Sequence, residues 1–482
     1  MNTFEIISLI FVGVFAINTF LAAVVVFFER RNPSSTWAWL LLLFFVPILG
    51  FLIYFIFGRN KKRERGFNEK EYADREIYYD YIFKIKCCED KKKLSKILTD
   101  PELEYLNDLV KLHQNSGHHI SENNKIEILN NGRDKFASLF NDINLAKDFI
   151  FLEYYIIRND NLGKEIISML AQKAREGVSV CLIYDGMGCS RLPKDFFNEL
   201  ILAGGKVSEF YPRLLIRINY RDHRKLCVID GKTGYVGGFN IGSEYLGLVK
   251  RYGPWRDTHI RIEGEAVDDL TLRFIMDWNY VSTEKMHIIK SYFPEKEKVG
   301  DVKTQIVSSG PDTKWENVRN GYFKMITEAE DHIYITTPYF VPDDGILSAL
   351  KVAALSGIDV RIMIPANPDH VFVYWASMSY LGELIKMGAR CYEYEEGFLH
   401  SKTIFIDSKA VSIGTANMDI RSFALNFEIN AFIYDRLEAF KFEMDFLDDL
   451  NRAKEITVEE YEKRSFVFKF REAVSRLISP IL

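Results

Sequence analysis

The sequence predicts an α/β protein: an amino-terminal helical hairpin across a membrane, followed by two tandem α/β domains related by a pseudo-two-fold axis. Three observations predict it. They are two long apolar stretches near the amino terminus, a strand-helix-strand rhythm from about residue 125, and an internal repeat with a period near 180 residues. A chain of 482 residues has room for two to three domains. Its 48% hydrophobic composition suffices for sizeable cores.

Ile6 to Phe28 is a 23-residue stretch interrupted by Ser8, Asn18 and Thr19, and Trp37 to Phe57 is a 21-residue stretch with no charge. Each is long enough to cross a hydrocarbon core of roughly 30 Å as a helix. The five residues before Ile6 include Glu5 and no basic group, unlike the basic opening of a cleaved signal, so retained helices are expected. Glu29 to Thr36 is a short connection, which makes the helices antiparallel with both ends on one side. Arg59, Lys61, Lys62, Arg63 and Arg65 follow the second stretch against Arg30 and Arg31 in the turn, which places the carboxyl-terminal body in the cytoplasm. The hairpin takes residues 1–58. Residues 59–120 are charge-dense, with Lys91 to Lys93 after Cys87 and Cys88, and read as a juxtamembrane linker, solvated or touching anionic headgroups.

The rest alternates strand-like and helical runs: Phe149 to Ile157, then Gly163 to Glu176, then Val178 to Tyr184. Ala146 to Ile157 aligns without a gap on Ala329 to Phe340, and each segment leads through a helical run and a glycine, Gly177 or Gly357, to a second apolar strand. Such a period is too long for a solenoid and fits two similar domains, 121–296 and 297–482.

Each half also repeats a polar feature. His223, Lys225 and Asp230 are followed by Gly237, Gly238 and Asn240; His400, Lys402 and Asp407 are followed by Gly414, Thr415 and Asn417. Both have the form His-x-Lys-x4-Asp, with the asparagine 17 residues after the histidine. One copy would be a weak motif; two copies at equivalent positions of a duplication are a strong one. The apolar run between lysine and aspartate favours a strand, on which histidine and lysine project from one face. His113, His259, His287 and His332 read instead as hydrogen-bonded core residues.

Two imidazoles, two ammonium groups and two amides converging on one point suit a phosphodiester. Its non-bridging oxygens gain charge in a five-coordinate transition state, which Lys225, Lys402, Asn240 and Asn417 can stabilise. A neutral imidazole attacks phosphorus and a protonated one delivers a proton to the leaving oxygen, giving a phosphohistidine that an alcohol or water resolves. No cofactor is required, and no carboxylate cluster for Mg²⁺ or phosphate-binding glycine loop is legible. Asp257 and Glu428, each opening a strand-like run, are candidates to fix the Nδ1 tautomer of the imidazoles. Asp230 and Asp407 complete the catalytic His-Lys-Asp sets and end their motif strands, where bracing through backbone or lysine contacts is expected. Tyr154, Tyr155, Tyr339 and Phe340 are candidate walls of the site.

The charge balance, 62 Lys plus Arg against 67 Asp plus Glu, provides no general basic field and argues against nucleic acid as partner. The six cysteines (Cys87, Cys88, Cys181, Cys189, Cys227 and Cys391) show no metal-site spacing, so reduced thiols and no metal are expected.

The two motifs, with Gly237 to Glu244 after the first and Gly414 to Ser422 after the second, resemble the phospholipase D superfamily. The hairpin with Arg31 to Trp39, together with Thr337 to Phe340, Gly397 to Thr403 and Leu425 to Glu428, resembles its bacterial cardiolipin synthases, over essentially the whole chain. The resemblance implies two phospholipase D-like α/β sandwich domains. It also implies transfer of a phosphatidyl group between two phosphatidylglycerol molecules, giving cardiolipin and glycerol without nucleotide or metal, at the inner membrane of a bacterial cell. By analogy His223 is the nucleophile and His400 the acid and later base, although the pseudo-symmetry equally supports the reverse. Gly238 stands where the second motif has Thr415, so a hydroxyl contact to phosphate is expected on one side only. A membrane-bound hydrolase, or a transferase using another alcohol, would use the same residues. The carboxyl-terminal run Ser465 to Pro480 mixes apolar residues with Lys469, Arg471 and Arg476, as an amphipathic helix at a membrane surface or a helix packed on the second domain would.

Overall fold

The computed structural model describes residues 3–28, 33–46, 49–50, 53–54, 61–86, 106–211 and 219–479. Thr3–Phe28 is a single helix, of which Glu5–Ala23 is long and apolar enough to span a membrane. Pro33–Phe45 packs against it, and the Asn18 amide donates to the Leu43 carbonyl at 3.0 Å. That bond satisfies a polar group that hydrocarbon would otherwise strand. Among the described residues of the second apolar stretch, the helix that begins at Pro33 ends at Phe45. Arg30, Arg31, Arg59, Cys87, Cys88 and Lys91 to Lys93 lie outside the described residues.

The first repeat contains strands β1 (Ile120–Asn131), β2 (Phe149–Tyr154), β3 (Ser179–Asp185), β4 (Lys206–Phe210), β5 (Lys225–Ile229), β6 (Thr233–Gly237) and β7 (Trp255–Glu263). The second contains β8 (Val302–Ser309), β9 (His332–Thr336), β10 (Phe340–Val341), β11 (Asp359–Pro365), β12 (Arg390–Tyr394), β13 (Phe398–Leu399), β14 (Thr403–Ile406), β15 (Ala410–Gly414), β16 (Met418–Asp419), β17 (Glu428–Tyr434) and β18 (Ala453–Glu455). The first repeat runs in the order β1-β7-β6-β5-β2-β3-β4, and the second repeats it as β8-β17-β15-β14-β9-β11-β12. Antiparallel pairing of β1 with β8, with Ile120 opposite Gln305, joins the two into one sheet about the pseudo-two-fold axis.

The central strands are buried on both faces, which is why they read as unbroken apolar runs. Along β2, Ile150 and Leu152 meet the outer core under the helices Gly132–Leu145 and Asn161–Arg175. Phe149 and Phe151 face a core shared by the two repeats, with Phe274 on one side and Ile413, Ile429 and Phe446 on the other. The period of two along a strand fixes that division. Asp160 caps the first helix after β2 and Asp343 the corresponding helix Asp344–Leu355. Gly177 and Gly357, at φ +95° and +92°, take the left-handed turn that follows each.

The segment expected as a solvated linker is partly built into the body. Lys61–Tyr81 is a helix that lies on the helix Ala266–Val281 and buries Phe67 and Tyr81. Lys70 is 2% exposed, with its ammonium 2.8 Å from Asp74, 2.6 Å from Asp312 and 3.1 Å from Asp277. Burial and Arg273 work against its charge, but Asp312, Asp74 and Asp277 together hold its pKa above the ordinary lysine value. Arg273 and Arg224 also pair with Asp277, at 2.8 and 2.7 Å. The charges of this segment satisfy one another inside rather than through water. His113 is buried against the Tyr434 hydroxyl and His332 pairs with Asp331, whereas His259 is buried with neither ring nitrogen hydrogen-bonded among the described residues and His287 is exposed, both contrary to the reading as hydrogen-bonded core residues.

Replacing Lys70 with methionine leaves buried carboxylates short of their cation. The expected loss is about 3–5 kcal/mol of stability, measured by chemical denaturation of the detergent-solubilised protein; a loss below 1 kcal/mol would show that the network relaxes without it.

Candidate active site

The two histidines stand just ahead of the motif strands, where the chain of each repeat crosses to the other. The His223 N–H donates to the Phe427 carbonyl at 2.9 Å, and Phe427 N–H to the Arg221 carbonyl at 2.9 Å. In the second repeat Phe398 N–H donates to the Pro254 carbonyl at 2.9 Å, His400 N–H to the Arg256 carbonyl at 2.7 Å, and β13 runs parallel to the start of β7. Each histidine is therefore laid beside the opening of a strand from the opposite repeat.

The crossing decides which carboxylate serves which imidazole, a pairing the sequence leaves open. His223 Nδ1 lies 2.9 Å from Glu428 Oε2, and His400 Nδ1 lies 2.6 Å from Asp257 Oδ2. Gly237 is opposite His259 and Gly414 opposite Asn430, so Asp257 and Glu428 hold the same register position in the two repeats. With an Nδ1–H donated to a carboxylate, each ring leaves Nε2 to face the cavity.

The lengths of the two acids are matched by their neighbours. A Cβ on Gly238 would lie 1.9 Å from Asp257 Oδ1, so glycine makes the room for that carboxylate. At the equivalent position Thr415 donates its hydroxyl to Glu428 Oε2 at 2.5 Å and accepts the Ile429 N–H. The Thr415 hydroxyl expected to reach a phosphate is thus engaged with the orienting acid, and Gly238 likewise acts through Asp257.

Lys225 donates to the His223 carbonyl at 2.6 Å and lies over the Tyr155 ring. The Lys402 ammonium approaches His400 Nδ1 at 2.8 Å, but that nitrogen cannot both donate to Asp257 and accept from lysine. The shorter carboxylate contact assigns the proton to Nδ1, leaving Lys402 to donate to the His400 carbonyl and to stand 4.0 Å from Asp257. Asn240 accepts the Ile156 N–H and donates to Tyr245, with its amide at the cavity wall. Asn417 also lines the cavity, and its buried Oδ1 has no partner among the described residues.

Asp230 and Asp407, grouped with the catalytic set by the motif, stand at the far ends of β5 and β14, five residues beyond each lysine. At roughly 3.3 Å per residue they cannot reach the site. Asp230 accepts the N–H groups of Lys147, Asp148 and Phe149; Asp407 accepts those of Glu330, Asp331 and His332. Both have positive φ, 53° and 55°. They tie each motif strand to the start of its neighbour by backbone, without a lysine contact.

Burial dominates the electrostatics. It pushes His223 down to about 4, although Glu428 opposes it, and pushes His400 below its ordinary value with help from Lys402. It also lowers Lys225 to about 7 and Lys402 to about 8. For Glu428 and Asp257 burial favours the neutral acid, but His223 for the first and Lys402 and His400 for the second hold both below the usual carboxylate range. The free site thus carries neutral imidazoles beside ionised carboxylates, and a bound anion would restore charge to the lysines.

Both imidazoles open on one cavity of about 610 Å³, lined from both repeats by Tyr155, Tyr339, Trp255 and four arginines. Of the expected aromatic walls, Tyr155 and Tyr339 line it, while Tyr154 and Phe340 are core residues. The arginines Arg158, Arg221, Arg251 and Arg421 were not assigned from the sequence. Comparison of the repeat at positions outside the motif, residue 244 against residue 421, carried the signal.

A family model described as cardiolipin synthase, PLD-like domain, matches residues 139–251 and 322–450, and one described as phospholipase D-nuclease N-terminal matches 16–59. The chain is 48% identical to the major cardiolipin synthase ClsA of Bacillus subtilis, over 97% of this chain and 98% of the relative. It is also 48% identical to a cardiolipin synthase of Listeria monocytogenes, over 97% of each. Among solved structures, the phosphatidylserine synthase of Haemophilus influenzae superposes with a TM-score of 0.60 at 15% identity, covering 78% of this chain and 97% of that one. That likeness concerns the fold.

Two outcomes test the geometry. Gly238→Ala displaces Asp257 and is expected to lower turnover of a phosphodiester substrate by on the order of 10²–10⁴-fold, with thermal unfolding of the body little changed. If turnover holds, Asp257 does not orient His400. In pH profiles of kcat/KM, which report the free protein, activity falls as pH drops through about 4, where His223 takes up a proton and loses its lone pair. On the alkaline side it falls no later than the discharge of Lys225 and Lys402 between about 7 and 8. An acid limb near the ordinary imidazole value would contradict the dominance of burial.

Proposed function

From the fact that the chain belongs to the cardiolipin synthases of the phospholipase D superfamily, we propose that it joins two phosphatidylglycerol molecules into cardiolipin and glycerol through a phosphohistidine on His223. Family membership makes it a phosphatidyltransferase acting on phospholipids. The observation that carries the finer reading is the reciprocal clamp: two imidazoles at one cavity, each held by a carboxylate of the other repeat, with Nε2 of both turned inward.

The burial-lowered His223 keeps its Nε2 lone pair at neutral pH, which suits it as nucleophile. It attacks the phosphorus of the first lipid; the bond from phosphorus to the glycerol oxygen breaks, and protonated His400 gives that oxygen its proton. A bound phosphodiester anion raises the His400 pKa toward that acid role. Glycerol leaves, and the primary hydroxyl of the second lipid loses its proton to His400 and attacks phosphorus as the P–N bond breaks. The two asparagine side chains at the cavity wall face the charge that develops on the non-bridging oxygens, and Lys225 and Lys402 act on it electrostatically from beneath the imidazoles. Water at this stage would give phosphatidic acid, so the depth of the cavity bears on the product.

We place the chain in a bacterial cytoplasmic membrane through two helices, with 121–296 and 297–482 as working limits of the two cytoplasmic halves. The bilayer reading also draws on the carboxyl-terminal helix Phe466–Ile478. One face packs along Val371–Ile385, with Tyr380 and Ser479 joined at 3.0 Å and Arg476 paired with Glu383. The other leaves Phe466, Val467, Phe470 and Leu477 exposed, as are Val371 and Phe372 on the helix it packs along, while His370, Val373 and Ser479 line the cavity. An apolar rim at the mouth suits a lipid surface that delivers its headgroups inward.

The purified protein, given phosphatidylglycerol and a chelator without nucleotide, is expected to release cardiolipin and glycerol in equal amounts, with Glu428→Gln slower by on the order of 10²–10⁴-fold. Phosphatidic acid as the main product would replace the transferase with a hydrolase. Changing Phe466 and Phe470 together to glutamate should lower turnover in vesicles more than turnover of a dissolved short-chain lipid. Equal effects on both would remove the helix from the membrane role.

A further inference from the structure

Cardiolipin formation brings two anionic lipids to one site, yet only one phosphate reacts. The other keeps its charge throughout and, because one glycerol bridges both in the product, ends within about six covalent bonds of the reacting phosphorus. The His-Lys-Asn sets surround a single phosphorus, so the second anion needs a counter-charge elsewhere in the same cavity.

The cavity wall holds such a charge on one flank. The motif residues of the two repeats are separated by 177 positions, His223 from His400 and Asn240 from Asn417, and the same step takes Glu244 to Arg421. Glu244 pairs with Arg158 at 2.9 Å and neutralises that guanidinium, while Arg251 also lines the cavity. Arg421 donates one hydrogen bond to the Asn219 carbonyl at 3.2 Å and forms no ion pair among the described residues. Arg221, 4% exposed, lies on the same flank with its guanidinium 3.4 Å from an Asp185 oxygen, and that carboxylate also accepts the Met187, Gly188 and Asp222 N–H groups. Both arginines act electrostatically on the Tyr155 hydroxyl, whose ring is 5.0 Å from that of His223. Duplicated chain would make the cavity symmetric; this exchange of acid for base breaks the symmetry beside Arg421, on which the wall carboxylate Asp419 also acts.

We infer that Arg421, supported by Arg221, binds the unreacting phosphate of the lipid acceptor and thereby selects an anionic lipid alcohol over a neutral alcohol. The inference rests on the lipid-transfer reading above. Burial works against the Arg421 charge and lowers its pKa, a cost that an incoming anion relieves. The planar fork suits two phosphate oxygens at once, which lysine cannot match.

The test compares two acceptors for one donor in the full-length protein in detergent: cardiolipin formation from phosphatidylglycerol, and exchange of labelled free glycerol into phosphatidylglycerol. Both need the phosphorylated histidine, but only the first needs a second phosphate bound. Arg421→Gln is expected to reduce cardiolipin formation at least tenfold more than glycerol exchange, and Arg421→Lys to recover part of the difference. Equal losses in the two reactions, which a folding defect or a role in donor binding would give, overturn the inference, as does no loss in either. Failure of the lipid-transfer reading is separately visible: the unaltered protein would then yield phosphatidic acid or no cardiolipin at all.

Discussion

Two hydrogen bonds, each from an imidazole of one repeat to a carboxylate of the other, hold the site together. Neither repeat could form its own half, because the carboxylate that fixes His223 belongs to β17 and the one that fixes His400 belongs to β7. The exchange is enforced by backbone: the segments ahead of the two histidines hydrogen-bond to the openings of the opposite strands. Pairing of β1 with β8 keeps the two sheets in the register that makes this possible. A slip of one residue would turn the carboxylates to the other face.

Because the clamped pairs are buried, each charge affects all the others. Two lysines and two carboxylates lie beneath the imidazoles, and burial lowers the lysines while the cations keep the carboxylates ionised. Such a site is poised for an anion, since a phosphodiester favours the charged form of both lysines. The ion network extends outward. Arg224 joins the Glu428 carbonyl to Asp277, and Asp277 reaches Lys70 on the helix Lys61–Tyr81. The catalytic body and that helix are thereby one packed unit.

Duplication supplies the pairs, and departures from it supply direction. Asp257 with Gly238 and Glu428 with Thr415 solve one steric problem in two ways, a short acid beside no side chain and a longer acid beside a hydroxyl. Glu244 and Arg421 differ more sharply, with opposite charges on equivalent walls. The proposed two-step transfer would use the two histidines in different roles, and an asymmetric cavity suits it.

The sequence by itself determined the amino-terminal apolar helix, the strand-helix alternation, the duplication and the paired motifs, because apolar period and residue spacing are local and survive without a partner. It also contained both orienting acids, each at the start of a strand. Tertiary structure decided what depends on distant chain: that the acids cross between repeats, that Asp230 and Asp407 brace backbone, and that Thr415 serves Glu428. It placed the charged segment around Lys70 inside, since solvation or pairing of a charge depends on neighbours some 200 residues away, such as Asp277. It also gathered Arg221 and Arg421 on one wall. A single guanidinium carries no spacing signal, and its meaning comes from which charge the fold sets opposite it.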